Sequence, residues 1–86
     1  MNPGDRVYYI PFKGCKFEDI EFGIVKSINE MDPTTLFVVF NCGEDWENYW
    51  DYTGQSTKKE NLFDGWSGIH KDADGKYTVF KDRKKI

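Results

Sequence analysis

Cysteine is scarce in this sequence, which contains only Cys15 and Cys42. Two cysteines are too few for a disulfide framework, and their spacing matches no metal-binding signature. We therefore expect two reduced, buried thiols that pack as small hydrophobic side chains, in a protein that works in a reducing compartment.

Long apolar runs are absent as well. No stretch approaches the roughly 18 apolar residues of a membrane span. The opening residues, MNPGDRVYYI, do not resemble a signal peptide, because no basic segment is followed by an apolar one. These absences predict a cytoplasmic protein without membrane contact.

Residues that commonly act as catalytic bases or bind phosphate or metal ions are few in this sequence. His70 is the single histidine, and a nucleophile normally needs such a base within reach. The eight glycines are scattered, so the sequence has no phosphate-binding loop. Asp72 and Asp74 lack the third acidic ligand and the closing glutamate of a calcium loop. We predict a protein that is not an enzyme and that holds no metal and no cofactor.

Positive charge is sparse in the first two thirds of the chain. Residues 1–57 carry four basic side chains against ten acidic ones, whereas residues 58–86 carry eight against five. A phosphate backbone demands clustered cations, so the first part is a poor candidate for nucleic-acid binding.

Strand signals dominate what is present. Apolar or β-branched runs separated by glycine and proline predict strands over residues 6–10, 22–30 and 36–42, and a short one over 50–54. Thr57 and Glu60 fit a one-turn helix closed by a capping box. The run 69–81 predicts a hairpin that turns at Asp74-Gly75. The expected fold is all-β: a small, strongly bent barrel of about five strands over residues 1–64. One short helical turn and a C-terminal hairpin and basic tail over 65–86 complete it.

The barrel pattern resembles the Tudor-type SH3-like barrels. That pattern has Gly-x-x-Val in its first strand and Gly-x-Val in its second, then an apolar strand, an Asp-Tyr-Gly-like turn and a one-turn helix ending in leucine. The matching positions are Gly4 and Val7, Gly23 and Val25, Val38 to Phe40, Asp51-Tyr52, and Leu62. Thr53 stands where the family has glycine. The resemblance implies an aromatic cage for a methylated lysine or arginine, lined by Tyr8 or Tyr9, Trp46, Tyr49 and Tyr52.

The chain also looks like short uncharacterised proteins encoded by bacteriophages and prophages of gut bacteria. The shared features are the pairs Trp46/Tyr49, Tyr52-Thr53 and Gly65-Trp66. This likeness brings no activity with it, and it implies a host-cytoplasmic location.

The stretch DWENYWDYTG, residues 45–54, is the candidate binding surface, and two interpretations of it remain open. In the first, its rings attract a cation, acidic side chains supply matching charge, and the partner is a protein with a basic patch. In the second, Trp46 and Trp50 cap an undersized barrel, and Tyr49 and Tyr52 complete cross-strand pairs. Trp46 and Tyr49 are expected to be the more exposed pair, because they lie in a loop. The binding residues predicted on the first interpretation are Tyr8, Glu44, Asp45, Trp46, Glu47, Tyr49 and Tyr52.

The alternative function is nucleic-acid binding, in which rings stack on bases and the basic tail contacts phosphates. The residues that would carry it are Phe63, Trp66, Tyr77, Phe80 and the run Lys81 to Lys85. Oligomeric state stays open, since the exposed edge of the 69–80 hairpin is able to pair two chains.

Overall fold

A computed structural model describes residues 2–40 and 42–79. Seven strands form in this part of the chain: β1 (Arg6–Tyr9), β2 (Glu21–Ile28), β3 (Thr35–Val39), β4 (Gln55–Lys58), β5 (Leu62–Asp64), β6 (Ile69–Lys71) and β7 (Tyr77–Val79). The helical elements are short 3₁₀ turns at Phe17–Asp19, Trp46–Asp51, Lys59–Asn61 and Trp66–Gly68. The predicted all-β class is confirmed.

The first five strands form one antiparallel sheet in the order β4-β3-β2-β1-β5. Among the described residues, strands β6 and β7 pair only with each other, as the predicted C-terminal hairpin. In the described part of the chain no ladder joins β4 to β5, so these two strands are the edges of the sheet. In that same part, none of the helical segments has the length and apolar character that crossing a bilayer requires.

One face of the sheet carries the first core. Val7 and Leu62 pack there with Val25, Leu36 and Val38, and all five are at most 1% exposed. The period-two alternation of strands places Tyr9 on the same face as Val7, and Tyr9 and Phe40 pack against the margin of this cluster. The inner face of the sheet is therefore apolar at its centre and aromatic at one end.

The hairpin helps to cover the opposite face of the sheet. Tyr8, Ile10, Cys15, Ile20 and Ile69 form a second buried cluster, with rings and Val79 packed around it. The backbone N–H of Phe17 donates to the carbonyl of Gly75, which joins the loop after β1 to the hairpin turn. Both predicted thiols, Cys15 and Cys42, are buried and free.

Strand β2 bends at a bulge. Its register with β3 shifts between Val25 and Ser27, which leaves Lys26 as the extra residue. Gly23 precedes the bulge, and a Cβ there would lie 2.7 Å from Val38 Cγ1 and 2.8 Å from the carbonyl oxygen of Val39. Gly23 is therefore a site of close backbone approach, where a side chain would clash with β3.

Two local predictions are wrong and two are confirmed. Residues 50–54 do not form a strand, because Trp46–Asp51 coils into 3₁₀ turns. Thr57 is not a helix cap, since it belongs to β4 and its hydroxyl donates to the Gln55 carbonyl. The short helical turn itself is present at Lys59–Asn61. The hairpin turn is confirmed as well: Gly75 has a φ of 78°, and Asp72 Oδ1 accepts from the backbone N–H groups of two turn residues.

Candidate functional site

Residues 44–52, here called the acidic aromatic segment, begin within a chain reversal formed by Gly43 and Glu44, both with positive φ. Asn48 kinks the 3₁₀ turns with a φ of −110°. Its side-chain amide donates to Asp45 Oδ1 at 2.8 Å, and its backbone N–H donates to the Asp45 carbonyl. Short-range bonds of this kind compete with strand pairing, which explains why this part of the chain coils.

Asp45 also fixes the far end of the segment. The Tyr52 hydroxyl donates to Asp45 Oδ2 at 2.8 Å. This bond to a carboxylate raises the pKa of Tyr52, because it stabilises the protonated phenol, and desolvation adds to the shift. Asp45 and Tyr52 are therefore engaged with each other and position the segment.

Lys26, the bulge residue of β2, ties the segment to the sheet. Its ammonium Nζ donates to the Tyr52 carbonyl at 2.6 Å and lies 5.7 Å from the centre of the Trp50 ring. The bulge turns this side chain toward the segment, so the irregularity in β2 has a direct structural consequence.

Trp46 packs against a second tryptophan. The ring centres of Trp46 and Trp66 are 4.8 Å apart. The indole N–H of Trp66 donates to the carbonyls of both Val7 and Gly23, at 3.0 and 2.9 Å, and the Arg6 guanidinium lies 4.7 Å from its ring centre. Trp46 is half-buried and rests on a ring that is itself anchored to β1 and β2.

Trp50 is the open ring of the segment, with 57% of its surface exposed. Tyr49, which is half-buried, meets it edge-on at 6.2 Å. The expected order is thus wrong: Trp50, not Trp46 or Tyr49, presents the most ring surface to solvent. The predicted acidic residues Glu44 and Glu47 are exposed, as is Asp51 beside Trp50.

Tyr8 does not belong to this surface, which corrects its assignment as a binding residue. The side chain is 0% exposed and stacks on Phe63 with ring centres 5.3 Å apart. Its position in β1 alternates away from Val7, so it faces the second core beneath the hairpin.

The residues predicted to stack on nucleic-acid bases are largely engaged within the protein. Phe63 and Tyr77 pack against the second core, and Trp66 is held by its two indole hydrogen bonds. Phe80 and the run Lys81 to Lys85 lie outside the described residues.

Sequence reasoning assigned no role at this site to Arg6 or Lys26, treated Trp50 only as a possible barrel cap, and named Trp66 only for the nucleic-acid alternative. The spacing of Trp46 and Trp50 did not predict which of the two rings is exposed, because kinked 3₁₀ turns follow neither strand nor helix periodicity. The one available signal was that two of the four basic residues in the acidic part of the chain, Arg6 and Lys26, lie in predicted strands. There they are able to reach tryptophan faces.

Within residues 2–40 and 42–79, no three side chains of the metal-ligating types come together. No family model, curated protein or solved structure matched the chain in our comparisons. The properties of the site therefore rest on its own geometry.

Proposed function

We propose that the protein is a non-enzymatic binding module that recognises a basic segment of a partner protein through the acidic aromatic segment. The observation that carries the proposal is the exposure of Trp50 among acidic side chains. Trp is enriched among the residues that dominate the binding energy of protein interfaces.

The ring chemistry supports a cationic ligand. Arg6 and Lys26 already lie over Trp66 and Trp50, so the indole faces of this protein accept cations within the fold. Trp50 keeps more than half of its surface open, and Glu47 and Asp51 flank it on the same turns. A cation over such a ring is worth about 0.5–2 kcal/mol, and the neighbouring carboxylates increase attraction at low salt.

The connection between β4 and β5 supports a proposal about the type of fold. We propose that the five-stranded sheet is an SH3-like barrel of the Tudor type. The support is the 3₁₀ turn Lys59–Asn61 between β4 and β5, which ends at the buried Leu62. The revised binding set replaces Tyr8 with Trp50 and keeps Glu44, Glu47 and Tyr49 at the surface. Trp46, Asp45 and Tyr52 act mainly as supports.

The test is a titration of the isotope-labelled protein with defined peptides, followed by heteronuclear NMR. The probes are a peptide of alternating arginine and glycine and its glutamate counterpart as a charge control. The three tryptophans give three indole N–H signals. We expect the basic peptide to shift the Trp50 signal, and the Trp66 signal to move little because two carbonyls hold that N–H.

Variants make the test specific. Trp50→Ala should weaken binding of the basic peptide by about 2- to 30-fold, the equivalent of one cation–π contact. Met31→Ala is the matched control, since that side chain is 94% exposed in a loop outside the segment. The double variant Glu47→Gln/Asp51→Asn should flatten the salt dependence of binding. Unchanged binding in Trp50→Ala, or shifts confined to residues outside the segment, would refute the proposal.

A further inference from the structure

Lys26 supplies the cation that lies over Trp50 within the fold. Its ammonium nitrogen is 5.7 Å from the centre of the Trp50 ring, and it donates to the Tyr52 carbonyl at 2.6 Å. The position of this nitrogen therefore joins an aromatic face to a hydrogen-bond acceptor. An ammonium or guanidinium group of a ligand uses the same two kinds of contact, so the position suits a ligand cation as well as Lys26.

The contact between Lys26 and the Trp50 ring is loose. Cations are attracted to an indole within about 6 Å of its centre, and the Lys26 nitrogen lies close to that limit. In the same protein the Arg6 guanidinium approaches the centre of the Trp66 ring to 4.7 Å. A ligand cation that reached this closer distance over Trp50 would gain more from the ring than Lys26 does.

The stem of Lys26 determines where its ammonium group lies. A Cβ built at Gly54 would be 3.4 Å from Lys26 Cδ and 3.5 Å from Lys26 Cβ, so the stem passes along the Gly54 backbone. Lys26 is partly buried, and it is the bulge residue of β2. The fold therefore presents this ammonium to Trp50 at a high effective concentration, whereas the cation of a partner arrives from solution. A ligand cation that takes the same position must displace Lys26 from the ring.

We propose that Lys26 is an internal competitor of the partner. In the free protein its ammonium occupies the position over Trp50 that a cation of the bound partner takes. This inference rests on the proposed function, and it adds a specificity-determining residue to that site. Because Lys26 must be displaced, only a ligand whose cation engages the ring more closely than Lys26 binds well.

The Lys26 side chain itself reports displacement. In NMR spectra of the wild-type protein, the ring current of Trp50 should shift the ε-methylene protons of Lys26 upfield, and Trp50→Ala gives their position without the ring. Titration with the arginine–glycine peptide should move these protons toward the Trp50→Ala position. The glutamate counterpart of the peptide should leave them in place.

Variants that remove the charge measure the cost of the competition. Lys26→Gln keeps a donor N–H for the Tyr52 carbonyl but has no charge, and it should bind the basic peptide about 2- to 5-fold more tightly, the equivalent of one exposed cation–π contact. Lys26→Arg keeps the charge and should bind no more tightly than the wild type. Lys13→Gln is the matched control, because it changes the net charge equally at an exposed position beside Phe12 and Tyr77. It should change the Kd by less than a factor of two.

Two outcomes would overturn the inference while the proposed function stands. In the first, Trp50→Ala weakens binding, yet the Lys26 methylene protons keep their shift at saturation, which would place the ligand on the other face of the ring. In the second, Lys26→Gln binds no more tightly than Lys13→Gln. Unchanged binding in Trp50→Ala, by contrast, refutes the proposed function, and the inference fails with it. Should Lys26→Gln fail to fold, the wild-type titration decides alone.

Discussion

Trp46 and Trp50 lie four residues apart in one segment, and their alanine variants should separate packing from binding. A fully buried Trp→Ala change costs about 3–5 kcal/mol. Most of the Trp46 surface is covered, so most of that cost applies, including about 0.5–1.5 kcal/mol for its ring contact with Trp66. We therefore expect Trp46→Ala to lower the free energy of unfolding by about 2–4 kcal/mol.

Trp50→Ala should cost much less, because 57% of that ring already faces solvent. Its main loss is the contact with the Lys26 ammonium, which is worth about 0.5–1 kcal/mol at an exposed site. For a domain of this size each kcal/mol corresponds to about 4–8 °C in Tm. The two variants should therefore melt at clearly different temperatures.

Urea unfolding followed by circular dichroism, with calorimetry for Tm, measures both variants. Near-ultraviolet dichroism adds a direct test of the ring contact, since the signal of the close Trp46–Trp66 pair should vanish in Trp46→Ala and persist in Trp50→Ala. Equal destabilisation by the two substitutions, or a larger loss in Trp50→Ala, would refute the assignment of Trp46 to packing and Trp50 to the open surface.

Three further predictions concern the sheet and the segment. Gly23→Ala should destabilise the fold by about 1–3 kcal/mol in urea unfolding, because its Cβ meets a backbone carbonyl that cannot move aside; a variant as stable as the parent would contradict the close approach. Trp66→Phe should cost about 1–3 kcal/mol in the same assay, since two carbonyls lose their shared donor; an unchanged stability would refute that anchoring role. Asp45→Asn should bring the pKa of Tyr52 back toward its ordinary value of 10.0 in an NMR titration. Because the pKa is raised in the folded state, the contribution of Tyr52 to stability is complete below pH 10 and is lost as pH rises through the folded pKa.

The sequence by itself determined the fold class and the apolar strands. Period-two patterning and continuous apolar runs identified β1, β2 and β3, because alternation sets the face to which each side chain of a strand points. Turn chemistry identified the Asp74-Gly75 hairpin, and the turn at Asp32 is equally local. At Asp32 the carboxylate accepts from the Thr34 hydroxyl and backbone N–H, and these bonds lower the pKa of Asp32. These features depend on residues that are close together in the chain, so the sequence alone is sufficient to predict them.

Only the tertiary structure decided which rings of the acidic aromatic segment are open. Trp46 is covered because Trp66, twenty positions along the chain, is pinned by carbonyls of β1 and β2. Tyr8 is buried because the hairpin helps to cover the outer face of the sheet, a placement that no pattern near residue 8 encodes. Ring exposure depends on contacts between distant segments, and a sequence read residue by residue does not contain those contacts.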